Sequence, residues 1–215
     1  LVAEPGTQWN YSFGLDIMGR VLEIVEGKPF ETVLREKLFA PLGMNETFFQ
    51  LPAKRAKDLA TLYTFKDGKP VAFDTGPDSD YLAPPPYAWG GGGLISSAHD
   101  YDRFLAMLAN EGVLDGVRIM SADTARLAMS DMLPPQIDRT RIIVPGCYGF
   151  GAAGALGGMG LNKDCFSWFG LGGTVGWVDK AKKVRGGFWV QYLMTSGKLS
   201  PQPDYIRALY KDLPA

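Results

Sequence analysis

Cysteine and histidine are scarce in this sequence of 215 residues, which contains two cysteines and one histidine. Cys147 and Cys165 form no C-x-x-C pair, which argues against a cysteine-ligated metal cluster, and we expect two buried free thiols. The single histidine, His99, falls in the first turn of a predicted helix, behind a capping serine. We therefore expect it to face solvent, which argues against a Ser-His-Asp triad and against a histidine metal site.

The sequence also lacks an excess of charge and a long apolar run. Its net charge is -1, so nothing favours nucleic acid or an anionic membrane as a partner. No apolar segment approaches the length of a membrane-spanning helix. Hydrophobic residues make up 46% and charged residues 21%, the balance of a globular protein with a substantial core. The first residue is Leu1, not Met, so the compartment, cytoplasmic or periplasmic, stays unknown.

The first part of the chain carries helical signals. Apolar residues at helical spacing predict helices over residues 14–26 and 29–39. A third helix begins within "SSAHD", where Ser97 and Asp100 form an S-x-x-D cap, and a short one starts at Ser121. Between them, "TLYTFKDGKPVAF" predicts one hairpin.

After Pro145 the pattern changes to short aromatic and β-branched runs between glycines, which is typical of antiparallel strands, and the chain ends with a helical pattern. We therefore predict an α+β protein. A mostly helical region spans residues 1–145, an antiparallel sheet with a C-terminal helix spans residues 146–215, and the site lies in the cleft between them.

Two glycine-rich segments are candidate sites. "WGGGGLISS" lacks the spacing of a phosphate-binding loop, so we expect its glycines to allow close approach to a neighbouring element. In "FGLGGTVGWVD" the glycines end one strand and a threonine opens the next segment. Backbone N–H groups along such a strand edge could hold an oxyanion, although a plain Gly-rich hairpin turn fits the same letters.

The order of three segments carries a resemblance over essentially the whole chain. "PGTQWNYSFGLDIMGRVLEIVEGKPFETVLREKLFAPLGMNETFF", "GGGGLISSAHDYDRFLAMLANEG" and "FGLGGTVGWVD" resemble the serine β-lactamase-like hydrolases: class C β-lactamases, penicillin-binding DD-peptidases and family VIII carboxylesterases. In that family an S-x-x-K helix supplies the nucleophilic serine and a lysine, a tyrosine contacts both, and a K-T-G-like strand lines the opposite wall. The resemblance implies the β-lactamase/DD-peptidase fold and acyl-enzyme chemistry without a metal or organic cofactor.

The resemblance also assigns residues. Tyr11 matches the family tyrosine, so it is predicted to carry protons to and from the serine rather than to fill the core. The backbone N–H of Thr174 is predicted to be an oxyanion donor. The expected substrate-binding residues are Phe13, Trp89, Leu171, Gly172 and Gly173.

Three departures from the family pattern shape the functional expectation. Phe13 stands where lactamases and peptidases carry an asparagine, and Leu171 replaces a cation or tryptophan, which together favour esters over lactams. No S-x-x-K occurs in the 215 residues. We therefore expect an N-terminal segment to supply the serine and lysine, and this chain to be inactive alone. A truncated homologue is disfavoured because it would expose an unpaired sheet edge.

The sequence thus predicts a serine hydrolase of small carboxylic esters, with its N-terminal segment and a small ester or lactam as partners. A β-lactamase or DD-peptidase of the same fold and a catalytically inactive binding module remain the alternatives.

Overall fold

The computed structural model describes residues 1–194 and 201–213. Within these residues the helices are α1 Gly14–Glu26, α2 Phe30–Leu34, α3 Ala98–Ala109, α4 Ala122–Ala128 and α5 Gln202–Asp212. The strands are β1 Leu62–Lys66, β2 Lys69–Asp74, β3 Val113–Leu114, β4 Val117–Arg118, β5 Cys147–Phe150, β6 Ala155–Gly158, β7 Leu161–Phe169, β8 Thr174–Asp179 and β9 Val184–Trp189. A π-helical turn, Arg35–Phe39, continues α2. Residues 195–200 and 214–215, part of the predicted second region, lie outside the described residues.

The strands β5 to β9 form one antiparallel sheet in chain order. Side chains of a strand alternate between the two faces. On β8, Val175 and Trp177 therefore pack in one cluster with Ile206 of α5, whereas Val178 packs with Leu105 of α3 on the other face. The sheet lies between two helical layers, and the predicted α+β fold with an antiparallel sheet and a C-terminal helix is confirmed; the last strand of this sheet ends at Trp189.

The β6 strand is not evident from the sequence. All four of its residues are buried, but two of them are glycine and none is polar, so they show no alternation of apolar and polar residues. By contrast, the predicted hairpin forms as β1 and β2, and both residues of its Asp67-Gly68 turn have positive φ angles. Such φ angles are what a two-residue hairpin turn requires.

The predicted cap of α3 forms, and it also connects distant parts of the chain. The Ser97 hydroxyl accepts a hydrogen bond from the Asp100 N–H at 3.1 Å. The Asp100 side chain is buried, and its carboxylate accepts bonds from the Glu46 N–H at 2.7 Å and from the Thr47 hydroxyl at 2.9 Å. A buried carboxylate needs such partners. The loop after the π-helical turn is therefore anchored to the start of α3.

The four-glycine loop packs directly against the first turn of α1. A Cβ atom on Gly90 would lie 2.0 Å from the Leu15 carbonyl oxygen, so a larger residue cannot occupy that position without a shift. The next residue, Gly91, donates its N–H to the Asp16 carboxylate at 3.4 Å. The expected close approach to a neighbouring backbone is therefore seen at Gly90, whereas Gly92 has open space around it.

Helix α1 turns its apolar side outward. Its exposed apolar residues lie within one half of the helix circumference, and Ile17, Ile24 and Val25 are each about two thirds exposed or more (66%, 67% and 73%). The other side packs inward, with Gly19 against the Phe30 ring. An exposed apolar stripe of this kind marks a surface that another element normally covers.

None of the helices in the described residues is long and apolar enough to cross a membrane.

Candidate active site

The segment predicted as a strand edge, residues 170–173, is the loop of the β7–β8 hairpin (the glycine loop). Gly170 donates its N–H to the Thr174 carbonyl at 2.9 Å, and Gly173 donates its N–H to the Gly170 carbonyl at 3.0 Å. Gly173 has φ +88°. This pattern is that of a three-residue hairpin loop that ends in a bulged glycine. Strand β8 also has paired neighbours on both sides, so the expectation of a free strand edge at this position was wrong.

The chain after β9 packs beside this loop. The Tyr192 N–H donates to the Gly172 carbonyl at 2.8 Å, and the Met194 N–H donates to the Leu171 carbonyl at 3.1 Å. On its other side the same segment hydrogen-bonds β1, because the Tyr63 N–H donates to the Gln191 carbonyl at 3.0 Å. The hairpin of β1 and β2 therefore forms a wall next to the glycine loop.

Gly173 occupies a crowded position that no larger residue could take. A Cβ atom on it would lie 2.8 Å from the Val190 side chain and 2.9 Å from the Tyr192 carbonyl oxygen, and its φ angle lies in the left-handed region. Its carbonyl accepts a hydrogen bond from the side-chain amide of Gln202, the fully buried first residue of α5. The backbone around Gly173 is therefore held by contacts from three elements.

Tyr11 lies on the same end of the sheet as the glycine loop. Its ring stacks on Trp168 of β7 at a centroid distance of 6.0 Å and on Trp9 at 6.4 Å. Trp168 precedes Gly170 by only two residues. Tyr11 is 61% exposed, and its hydroxyl forms no hydrogen bond with the described residues. The ring thus packs on two indoles, while most of the residue's surface stays exposed to solvent.

The other predicted site residues fall into two places, the glycine loop and the start of α1. Phe13 is the N-cap residue of α1 and is 65% exposed, and Leu171 is exposed in the glycine loop. Trp89 stacks on Tyr87 at 5.5 Å, in the loop that packs on the first turn of α1. In the described part of the chain no ring contact joins Trp89 to Tyr11. The structure therefore groups Tyr11 with the glycine loop, and Trp89 with the start of α1.

A concavity of about 300 Å³ lies beside α1 rather than over the glycine loop. Its lining includes Asp16, Ile17, Arg20 and Tyr87. The glycine loop itself lies open at the surface, with Leu171 62% exposed. The structure thus presents the candidate site as one exposed wall and not as an enclosed pocket.

The remaining chemically active side chains lie elsewhere. The His99 side chain is 75% exposed, as predicted, and its Nδ1 lies 3.3 Å from an Asp100 oxygen. Both cysteines are free; Cys165 is buried, while Cys147 is only half buried. Burial raises the pKa of the Cys165 thiol to about 12, so this thiol stays protonated near neutral pH.

Sequence reasoning missed the residues that hold the site. Nothing in the local pattern shows that Trp168 supports Tyr11, or that Gln202 binds Gly173, since the partners are 157 and 29 residues apart along the chain. The hairpin residue Leu62, which lies beside Gly172, carries no signal either. Gln202 is unusual because it is a fully buried glutamine at the start of a helix, but this burial cannot be read from the sequence.

The fold and these motifs define a family. Residues 1–210 match the sequence profile of the family described as Beta-lactamase. The match covers nearly the whole chain, so the chain belongs to the β-lactamase family, and the resemblance predicted from the motifs is confirmed.

Individual relatives are similar over part of their length. Protein Rv1367c of Mycobacterium tuberculosis is 34% identical over 140 residues, which cover 65% of this chain and 34% of that protein. Esterase EstB of Burkholderia gladioli is 29% identical over 199 residues, which cover 82% of this chain and 48% of the esterase. A solved structure of simvastatin synthase, the LovD6 mutant from Aspergillus terreus, superposes with a TM-score of 0.82 at 22% identity, covering 99% of this chain and 58% of the synthase.

These comparisons show a β-lactamase-family fold with hydrolase and acyltransferase homologues. The chain spans about a third to a half of the length of these two curated relatives.

Proposed function

We propose that the protein hydrolyses small carboxylic esters, or transfers their acyl groups, through a serine acyl-enzyme. The observation that carries this proposal is the position of Tyr11: its ring stacks on Trp168, two residues before Gly170, and the residue is 61% exposed. A tyrosine that only filled the core would be buried. The similarity to an esterase supports the same class of reaction.

In this proposal Tyr11 and Thr174 have separate tasks. A serine hydroxyl is a weak nucleophile until a nearby base accepts its proton, and the Tyr11 oxygen takes that proton and later returns one to the leaving group. The backbone N–H of Thr174 stabilises the negative charge that develops on the carbonyl oxygen of the ester. The serine oxygen attacks the acyl carbon, while Tyr11 transfers the protons and Thr174 binds the carbonyl oxygen.

The serine and lysine come from a segment outside these 215 residues. The sequence contains no S-x-x-K, and the relatives are longer than this chain. We propose that this segment packs on the exposed apolar side of α1, since α1 starts directly after Phe13 and its uncovered stripe faces solvent. Such packing would bring the serine close to Tyr11.

Esters are favoured over β-lactams because of two residues. Phe13 offers no hydrogen bond to a substrate amide, and Leu171 offers no cation to a substrate carboxylate. A small neutral ester requires neither contact. The proposal therefore ranks ester hydrolysis above lactam or peptide cleavage.

Two measurements on the full-length protein test this proposal. Short-chain p-nitrophenyl esters should be turned over, whereas a chromogenic cephalosporin should be turned over slowly or not at all. Lactam turnover without ester turnover would reverse the ranking, and no turnover of either would favour a binding module.

The source of the nucleophile is tested by covalent labelling. A fluorophosphonate probe should label one serine, and mass spectrometry should place the labelled peptide outside residues 1–215. A label on a serine within these residues would contradict the proposed arrangement.

A further inference from the structure

We propose that Gln202 is a positioning residue that orients the Thr174 N–H as an oxyanion donor. The inference rests on the proposed function, and it adds a residue that lies outside the loop and outside the motifs. It starts from the contact of the Gln202 side chain with the Gly173 carbonyl.

The Gly173 carbonyl and the Thr174 N–H belong to the same peptide group. Because a trans peptide is planar, its C=O and N–H point in opposite directions. The Gln202 amide donates to the Gly173 carbonyl from the side of α5. The Thr174 N–H must therefore point away from α5.

That direction is the side of the sheet on which Tyr11 lies. On β7, Cys165 packs with α5, whereas Phe166 packs with the cluster around α3. Side chains alternate, so Trp168 shares the face of Phe166, and Tyr11 stacks on Trp168. The bond from Gln202 thus turns the donor N–H toward the face that carries the proposed proton carrier.

The neighbouring peptide groups take part in backbone–backbone hydrogen bonds. The Gly172 carbonyl accepts the Tyr192 N–H, and the Gly173 N–H donates to Gly170. The Thr174 carbonyl accepts the Gly170 N–H. For the peptide between Gly173 and Thr174, the contact on the carbonyl comes from a side chain of a distant element.

A glycine at this position increases the need for such a contact. Gly173 has no Cβ to restrict its ψ angle, so rotation of the following peptide is opposed less than at other residues. Gln202 is fully buried, so its amide is held in place by packing. A hydrogen bond on the carbonyl also polarises the peptide and strengthens its N–H as a donor.

The test replaces Gln202 with methionine in the full-length protein. Gln202→Met keeps the length of the side chain and removes the donor. We expect kcat for a p-nitrophenyl ester to fall by roughly tenfold or more with KM nearly unchanged, because an oxyanion donor acts mainly in the transition state. Gln50→Met is the matched control, since the exposed Gln50 amide also donates to a backbone carbonyl, that of Leu82 at 3.0 Å, and it should leave kcat unchanged.

A double mutant separates positioning from stability. In a Thr174→Pro background the donor N–H is already absent, so Gln202→Met should cause no further loss of kcat. A purely structural role of Gln202 would reduce activity to the same extent in both backgrounds, and that result would overturn the proposal. Gln202→Leu, which also lacks a donor, serves as a second variant if the methionine variant does not fold, and the same outcomes apply to it.

A spectroscopic measurement decides the orientation without activity. Labelling glycine carbonyls with ¹³C and threonine amides with ¹⁵N selects Gly-Thr pairs, of which these 215 residues contain two, Gly6-Thr7 and Gly173-Thr174. Gln202→Met should shift the second signal and leave the first in place. An unmoved Gly173-Thr174 signal would overturn the proposal. If wild-type protein turns over no ester, the proposed function fails, while a shifted signal still supports the orientation of the peptide by Gln202.

Discussion

The strongest prediction concerns the Tyr11 hydroxyl. Tyr11→Phe keeps the ring and its stacking on Trp9 and Trp168 but removes the oxygen. If Tyr11 carries the proton, ester turnover by the full-length protein should fall by roughly 10² to 10⁴, the usual effect of removing a positioned general base. This corresponds to about 3 to 5 kcal/mol in the activation free energy.

The expected change in stability is much smaller than the change in rate. Tyr11 is largely exposed and its hydroxyl has no hydrogen bond to the described residues, so Tyr11→Phe should change the free energy of unfolding by less than about 0.5 kcal/mol. Because about two fifths of the side chain is buried, Tyr11→Ala removes roughly 80 Å² of contact, which corresponds to about 2 kcal/mol.

Steady-state kinetics and chemical denaturation of the same samples provide the measurement. Tyr148→Phe is the control, because Tyr148 is exposed to the same degree, 60%, and lies on β5 away from the glycine loop. It should leave both quantities unchanged. A Tyr11→Phe protein with unreduced kcat would refute the role of Tyr11 in proton transfer, whatever the effect of Tyr11→Ala.

The remaining predictions address the oxyanion donor at Thr174, the four-glycine loop at residues 90–93 and Tyr210 of the C-terminal helix. Thr174→Ala should be nearly silent in turnover, whereas Thr174→Pro should reduce kcat by roughly 10² or more, because it removes the backbone N–H; equal activity of the two variants would exclude the role. Gly90→Ala should lower Tm and ester turnover, because its Cβ would meet the backbone of α1, whereas Gly92→Ala, which has open space around it, should be tolerated. Tyr210→Phe should cost about 2 kcal/mol at neutral pH, because the Tyr210 hydroxyl donates to the buried Asp179 carboxylate at 2.9 Å. Burial by itself raises the pKa of Asp179, but its hydrogen bonds outweigh burial and hold that pKa below the usual value. The stabilisation is therefore present above about pH 4 and is lost as pH falls through the lowered pKa, so denaturation curves of wild type and Tyr210→Phe should converge in acid.

The sequence by itself determined the family and much of the local structure. The helix cap at Ser97 and the hairpin turn at Asp67-Gly68 follow from residue types that act over a few positions. The order of the motifs then identified the β-lactamase family.

Only the tertiary structure decided how these parts meet. The glycines before Thr174 fit a strand edge or a hairpin loop equally well, and pairing on both sides of β8 made them a loop. Helical spacing marked the apolar side of α1 but not its direction, which depends on the packing of Gly19 against Phe30. The contact of Gln202 with Gly173 joins elements that share no local pattern. Local propensities specify turns and caps within a few residues, whereas side-chain contacts between distant elements arise only when the chain packs.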